Sequence, residues 1–151
     1  MQVPKEHLRP TFDKLYAYLD SIGGYLSSSV AQGSAVSLTS TTAANVTSIT
    51  LTEGEWDVSG VLALIPAAST SITVVHGSSS TTSATVGGAT QAVSFAQAAA
   101  VPGAVAQSFA IPTYRVVVPA GTTQVVYLVA RCTFTVSTLG AFGIIQARRV
   151  A

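Results

Sequence analysis

One cysteine in 151 residues excludes an internal disulfide framework and any zinc site built on several cysteines. That residue, Cys132, falls in an apolar strand pattern, where a small buried thiol is expected. Charge is equally scarce. Asp, Glu, Lys and Arg make up 9% of the chain, against about 25% in an ordinary soluble domain. A net charge of +1 leaves no electrostatic footprint for nucleic acid. No run of about 20 apolar residues is present, so no membrane span is expected. No apolar stretch follows the first positive residues, so no secretion signal is expected, and the acceptor-like Asn45-Val46-Thr47 is read as chance. No repeat of 20–50 residues is visible.

What is present is apolar and hydroxyl-rich. Hydrophobic residues reach 48%, enough for one domain with a sizeable core. Ser and Thr supply about a quarter of the chain, and they suit strand surfaces and turns better than helices. A monomer normally carries a mixed, charged surface for solubility. A surface this poor in charge points to contact with other subunits. The charge is also uneven. Residues 1–57 hold all six acids and carry −3, whereas residues 58–151 hold Arg115, Arg131, Arg148 and Arg149 and carry +4. These arginines are expected to pair with Glu53, Glu55 and Asp57, within one chain or between subunits.

The first segment differs from the rest. Leu8, Phe12, Leu15, Leu19, Ile22 and Leu26 follow one another at intervals of four and three, the rhythm of a coiled-coil seam. Pro10 fits a first helical turn, and Gly23-Gly24 fit a stop. A short α-helix over about 10–22 is predicted, roughly 20 Å long at 1.5 Å per residue. Leu8 and Leu26 extend the rhythm beyond it. Such a helix is marginal alone, so its stripe must bury against its own domain, its copies or a larger particle. The predicted organisation is therefore an anchor or trimerisation segment at 1–25, a flexible linker at 26–35, and a β-domain at 36–151.

Within that domain, short strands are predicted at 36–39, 46–51, 56–64, 71–76, 91–96, 108–111, 114–118, 123–136 and 141–150. Trp56, Val58, Gly60, Leu62 and Leu64 alternate with Asp57, Ser59, Val61 and Ala63, which assigns them to opposite faces. Turns are predicted at Glu53-Gly54-Glu55, Pro119-Ala120-Gly121 and Leu139-Gly140, and a helical turn is open to the Ala-rich 97–100. The Ser/Thr-rich 77–84 reads as an exposed loop. About eight antiparallel strands give an all-β sandwich of jelly-roll type. The Cys…Trp…Cys pattern of an immunoglobulin-like sandwich is missing.

Catalytic chemistry finds little to work with. His7 and His76 are the only histidines. His76 stands beside Ser78, Ser79 and Ser80 without an acid nearby in sequence, and no G-x-S-x-G elbow exists. Glu53, Glu55 and Asp57 share one face of an extended chain at i, i+2, i+4 spacing. Paired carboxylates serve glycoside hydrolysis or hold a hard cation. Around a predicted turn, with arginines to pair with, a structural role carries more weight. No enzyme activity, cofactor or metal is expected. His76, Ser78, Ser79, Ser80, Thr81 and Thr82 are kept as a candidate exposed recognition loop.

Four stretches carry a resemblance to a known group: LTEGEWDVSGVLALIPAAST, SSSTTSATVGG, TYRVVVPAGTTQVVYLVARCTFT and the ending GAFGIIQARRV. Over roughly 36–150 the chain resembles small jelly-roll domains of tailed-phage virions, found in fibres, collars and head decorations. The resemblance implies a homotrimer, held to the particle through an N-terminal segment and displaying its sandwich outward. It implies no catalytic residues. Leu8, Phe12, Leu15, Leu19 and Ile22 would then form the anchor or oligomer seam. A single domain without a shaft suggests a short decoration or collar-type appendage. The implied partners are other virion proteins, and the second reading is an adhesin whose loops bind host-surface glycan. A glycan hydrolase is a third.

Overall fold

The computed structural model describes residues 23–97 and 105–150. The predicted helix and its seam, Leu8, Phe12, Leu15, Leu19 and Ile22, lie outside the described residues, as does His7. Strand is the dominant structure of the described residues. In order it runs β1 (Tyr25–Val30), a 3-10 turn (Gln32–Ser34), β2 (Val36–Ser37), β3 (Ala44–Pro66), β4 (Ser71–Ser80), β5 (Ala92–Ala96), β6 (Gln107–Thr135) and β7 (Leu139–Arg149). All pairings are antiparallel.

Two strands are far longer than the sequence predicts, because two expected turns are corners rather than chain reversals. At Glu53-Gly54-Glu55, β3 continues through Gly54 at φ +123°. Opposite it, β6 makes a four-residue excursion over 119–122, between the pairs Thr52↔Thr123 and Gly54↔Val118. Gly121 takes φ +71° there, and Thr122 Oγ1 donates to the Pro119 carbonyl at 2.7 Å. Pro112 likewise fails to end a strand. It sits at a register shift on β6, between Tyr114 and Ile111, where 107–118 forms a sheet edge and needs no ladder N–H.

Divided at the corners, the sheet becomes two four-stranded layers. The first is β1, β7, β3 (54–66) and β6 (107–118); the second is β3 (44–52), β6 (123–135), β4 and β5. Numbered as eight consecutive segments, the orders are 1-8-3-6 and 2-7-4-5. The pairs 1:8, 2:7, 3:6 and 4:5 nest, as in one long hairpin wound round itself. That is a jelly roll. β2 adds a two-residue pairing on β7.

The core lies between the layers. Trp56, Val58, Leu62 and Leu64 of the first meet Leu51, Ile72, Val75, Val126, Leu128 and Cys132 of the second. The alternation predicted for 56–64 holds through Leu62, after which Ala63 on the other face is buried as well. Gly77 on β4 marks the contact: a Cβ there would lie 2.6 Å from the Phe109 ring and 2.8 Å from a Leu62 methyl, both in the opposite layer. At Gly143, φ is +143° and a Cβ would overlap the Val61 carbonyl, so only glycine lets β7 and β3 approach.

Both sides of the sandwich are closed. Phe95 and Phe109 meet edge-to-face at 5.5 Å between centroids, and the Gln97 amide donates to Gln107 Oε1 at 2.9 Å. On the other side the Ser28 and Thr47 hydroxyls share a hydrogen bond.

The predicted linker at 26–35 is overturned by the structure. Residues 25–30 form an edge strand laddered to Gly143–Arg148 of β7, with Leu26 and Val30 packed against the core. A Ser-rich stretch with apolar residues at every fourth position presents one apolar face when extended, and the free β7 edge supplies its hydrogen bonds. The sandwich thus begins before residue 36. The loop expected at 77–84 starts only at Thr81. Ser78, Ser79 and Ser80 complete β4 and are buried.

Candidate functional site

The acidic cluster and the arginines occupy the outer face of the first layer. Asp57 on β3 lies between Arg115 on β6 and Arg148 on β7 in the ladder, and Tyr25 on β1 completes the row. Arg115 binds both carboxylates: its Nε donates to Asp57 Oδ1 at 2.6 Å and its Nη1 to Glu55 Oε2 at 2.7 Å. These hydrogen bonds, Asp57 first and then Glu55, raise the guanidinium pKa further above its ordinary value. The pairs are solvent-exposed, with side chains about half accessible, so water screens them and they add little to stability. Glu53 is separate from them. Its Oε2 accepts from the Gly121 N–H at 2.7 Å and braces the corner.

The remaining arginines serve different ends. Arg149 places its guanidinium 5.9 Å from the centre of the Trp56 ring, a cation–π contact. Trp56 donates its indole N–H to the Thr52 carbonyl at 2.9 Å and so fixes the corner from inside. Arg131 lies on the other layer, where its Nε donates to the Thr41 carbonyl at 3.1 Å. The seven charged residues singled out from the sequence thus fall into several groups. Glu55, Asp57, Arg115 and Arg148 come together; Glu53 braces the corner, Arg149 lies against Trp56, and Arg131 stands on the other layer.

Below that row runs an open cleft of about 470 Å³ that no sequence motif announced. Tyr25, Asp57, Ser59, Thr113, Gln146 and Arg148 line it. Period-2 alternation would have put Asp57 and Ser59 on one face, but their meeting with Gln146 and Tyr25 depends on β-pairing across 80 residues or more. The groups are held in order. Tyr25 Oη donates to Gln146 Oε1 at 3.1 Å, and Gln146 Nε2 donates to Ser59 Oγ at 3.3 Å. Tyr25 remains 60% exposed, so its ring stands at the rim. Farther along the same face the residues turn apolar: Ile144 is paired with Val61, and Phe142 with Ala63.

The candidate recognition loop is only partly a loop. His76, Ser78 and Ser80 point away from the core, and the segment 81–91 folds across Ser78 and Ser80. Gly87 N donates to Ser78 Oγ at 3.0 Å, and Ser80 Oγ bonds the Thr82 backbone. Asn45 clamps the far side, donating to Ser83 Oγ and accepting from Ala84 N, each at 2.7 Å. Thr81 and Thr82 are exposed, while Ser78, Ser79 and Ser80 serve packing. His76 pairs in register with Arg131 and Ser94, and Ser79 faces the opposite side of the strand, so His76 and Ser79 form no catalytic couple. No group of three or more His, Cys, Asp or Glu side chains able to hold a metal occurs among the described residues. No helix among them is long and apolar enough to cross a membrane.

No protein-family model matches the sequence, and no curated protein does. Among solved structures, a mutant VP2 protein of infectious bursal disease virus in T=1 particles is similar over 83% of this chain and 29% of its own, at 14% identity and a TM-score of 0.32. The T13 particle of the same virus is similar over 86% of this chain and 34% of its own, at 13% identity and a TM-score of 0.30. The chain spans about a third of the length of those proteins. Scores this low assign no family.

Proposed function

We propose that this chain is a non-catalytic structural protein of a virus particle. In its finer form the reading is a homotrimeric appendage of a tailed bacteriophage, a head decoration, fibre or collar protein, attached through its N-terminal segment with the sandwich outward. The observation that carries the assembly is the contrast between the two outer faces. The second layer is roofed by the chain's own 81–91 segment, but the first exposes Val61 at 39% beside its ladder partner Ile144, with Phe142 opposite Ala63 farther along, and Val117 at 64% opposite Glu55 towards the other end of the face. In a chain with 9% charged residues, such a strip suits contact with further copies. The phage setting rests on the sequence resemblance, and a jelly roll alone would not specify it.

Light scattering on the full chain tests the assembly. The expected mass is three times the 15.3 kDa of one chain, and Val61→Asp is expected to lower it. A single-chain mass at every concentration refutes the trimer. A second reading, an adhesin for host-surface glycan, is favoured by the cleft on the first layer, whose lining includes hydroxyl, amide and charged side chains.

A further inference from the structure

We infer that the cleft between Tyr25, Ser59, Gln146 and Arg148 is a binding site for a neutral saccharide. The inference deepens the adhesin reading and moves recognition from the Ser/Thr loop to the sheet face. Its argument begins with the inventory of groups. The lining offers hydroxyls from Ser59, Thr113 and Tyr25, an amide from Gln146, a carboxylate from Asp57 and a guanidinium from Arg148. Donors and acceptors are thus interspersed, which is what a ligand with vicinal hydroxyls requires, since each of its O–H groups both donates and accepts.

Charge narrows the ligand class. Arg148 makes no ion pair with a described residue, and alone it would favour a phosphate or a sugar acid. Asp57 lies beside it in the ladder and lines the same cleft, with Oδ1 engaged by Arg115 and Oδ2 left as an acceptor. A carboxylate there repels an anion, while it accepts readily from a sugar hydroxyl.

Shape and order point the same way. About 470 Å³ lies within the usual range of small-molecule sites, about 300–1,000 Å³. The Tyr25 ring, 60% exposed at the rim, offers an apolar face to the C–H side of a pyranose. Its hydroxyl is tethered to Gln146, and Gln146 to Ser59, so the ring and the amide are oriented before any ligand arrives. The cleft is open, so single sugars bind weakly, and avidity would come from several sites on one assembly.

The test uses the full chain and ligand-observed saturation-transfer NMR. The probes are the methyl glycosides of glucose, galactose and rhamnose, with N-acetylglucosamine, glucuronate and inorganic phosphate beside them. At least one neutral sugar is expected to bind with a Kd of about 1–10 mM. Tyr25→Ala and Gln146→Ala are each expected to weaken it about tenfold or more, Tyr25→Phe less than Tyr25→Ala, and Val136→Thr at the far β6–β7 turn not at all. Circular dichroism confirms that each variant folds; Tyr25 lies exposed on an edge strand, so its variants keep the core. Three outcomes overturn the inference: no neutral sugar binds, binding survives Tyr25→Ala and Gln146→Ala, or phosphate or glucuronate binds more tightly than every neutral sugar. None of these touches the assembly reading, which the mass measurement decides separately.

Discussion

Replacing Gly77 by alanine tests the sandwich at its most crowded point. Gly77 is fully interior on β4, and its missing side chain is what lets the layers close. A Cβ would sit 2.6 Å from Phe109, 2.8 Å from Leu62 and 3.1 Å from Ile111, where ordinary contact begins near 3.4 Å. All three neighbours belong to the other layer, and Leu62 has no exposed surface through which to retreat. Overpacking of this kind costs about 1–3 kcal/mol. Alanine also lowers the entropy of the unfolded chain, which returns about 0.4–1 kcal/mol. The net expectation is a loss of about 1–2 kcal/mol. Gly88→Ala is the control: nothing lies within 4 Å of its Cβ position, so only the entropic gain remains. Urea denaturation at fixed protein concentration measures both, with a midpoint shift of roughly 1 M expected for Gly77→Ala at an ordinary slope. Adding Leu62→Val to Gly77→Ala should cost less than the two single changes together, because the smaller side chain admits the methyl. If Gly77→Ala is as stable as Gly88→Ala, the layers do not meet at this point and the jelly-roll packing is wrong.

Three further outcomes follow from the core and its cover. Burial lifts the Cys132 thiol from 9.0 to about 12, so it should stay unreactive towards a thiol reagent at pH 8 until denaturant is added; fast labelling of native protein would refute its burial. Burial also lifts the Tyr114 phenol to about 12, against the opposing influence of Ser79, and neither hydroxyl makes a hydrogen bond of standard geometry. Tyr114→Phe should therefore be neutral or stabilising by up to about 1 kcal/mol. The sign of its pH effect is set by the raised value. The contribution of the protonated phenol is complete below pH 10 and lost as pH rises towards 12, so thermal melts of the wild type should fall more steeply over that window than those of Tyr114→Phe. Asn45→Ala removes both bonds that clamp Ser83 and Ala84, and should speed amide exchange in 81–91 while leaving β4 protected; unchanged exchange would show that the roof is held by other contacts.

Much of the architecture is local enough to read from the sequence. Alternation at 56–64 assigned Trp56, Leu62 and Leu64 to the core, and the count of apolar segments gave a sandwich of about eight strands. The errors fall where a local signal has two meanings. Glycine and proline at 53–55 and 119–121 mark sharp backbone bends, and a bend serves a corner as well as a reversal. Which of the two forms depends on whether the flanking segments pair with each other or both continue along a third strand. Here 44–52 and 54–66 pair along the two halves of β6, a partnership that no window of the sequence contains. The same holds for Tyr25–Val30, whose serines read as linker until β7 offers an edge. Hydroxyl-rich segments are neutral towards either outcome, so the long-range partner decides. The cleft is the extreme case. Tyr25 meets Gln146 across 121 positions, and Ser59 meets Gln146 across 87, so a site of this kind exists only after the ladder has closed. In a chain whose polarity lies mostly in hydroxyls, functional groups are placed by strand register rather than by motif. A one-residue slip of β7 would therefore erase the site while leaving the composition of every segment unchanged.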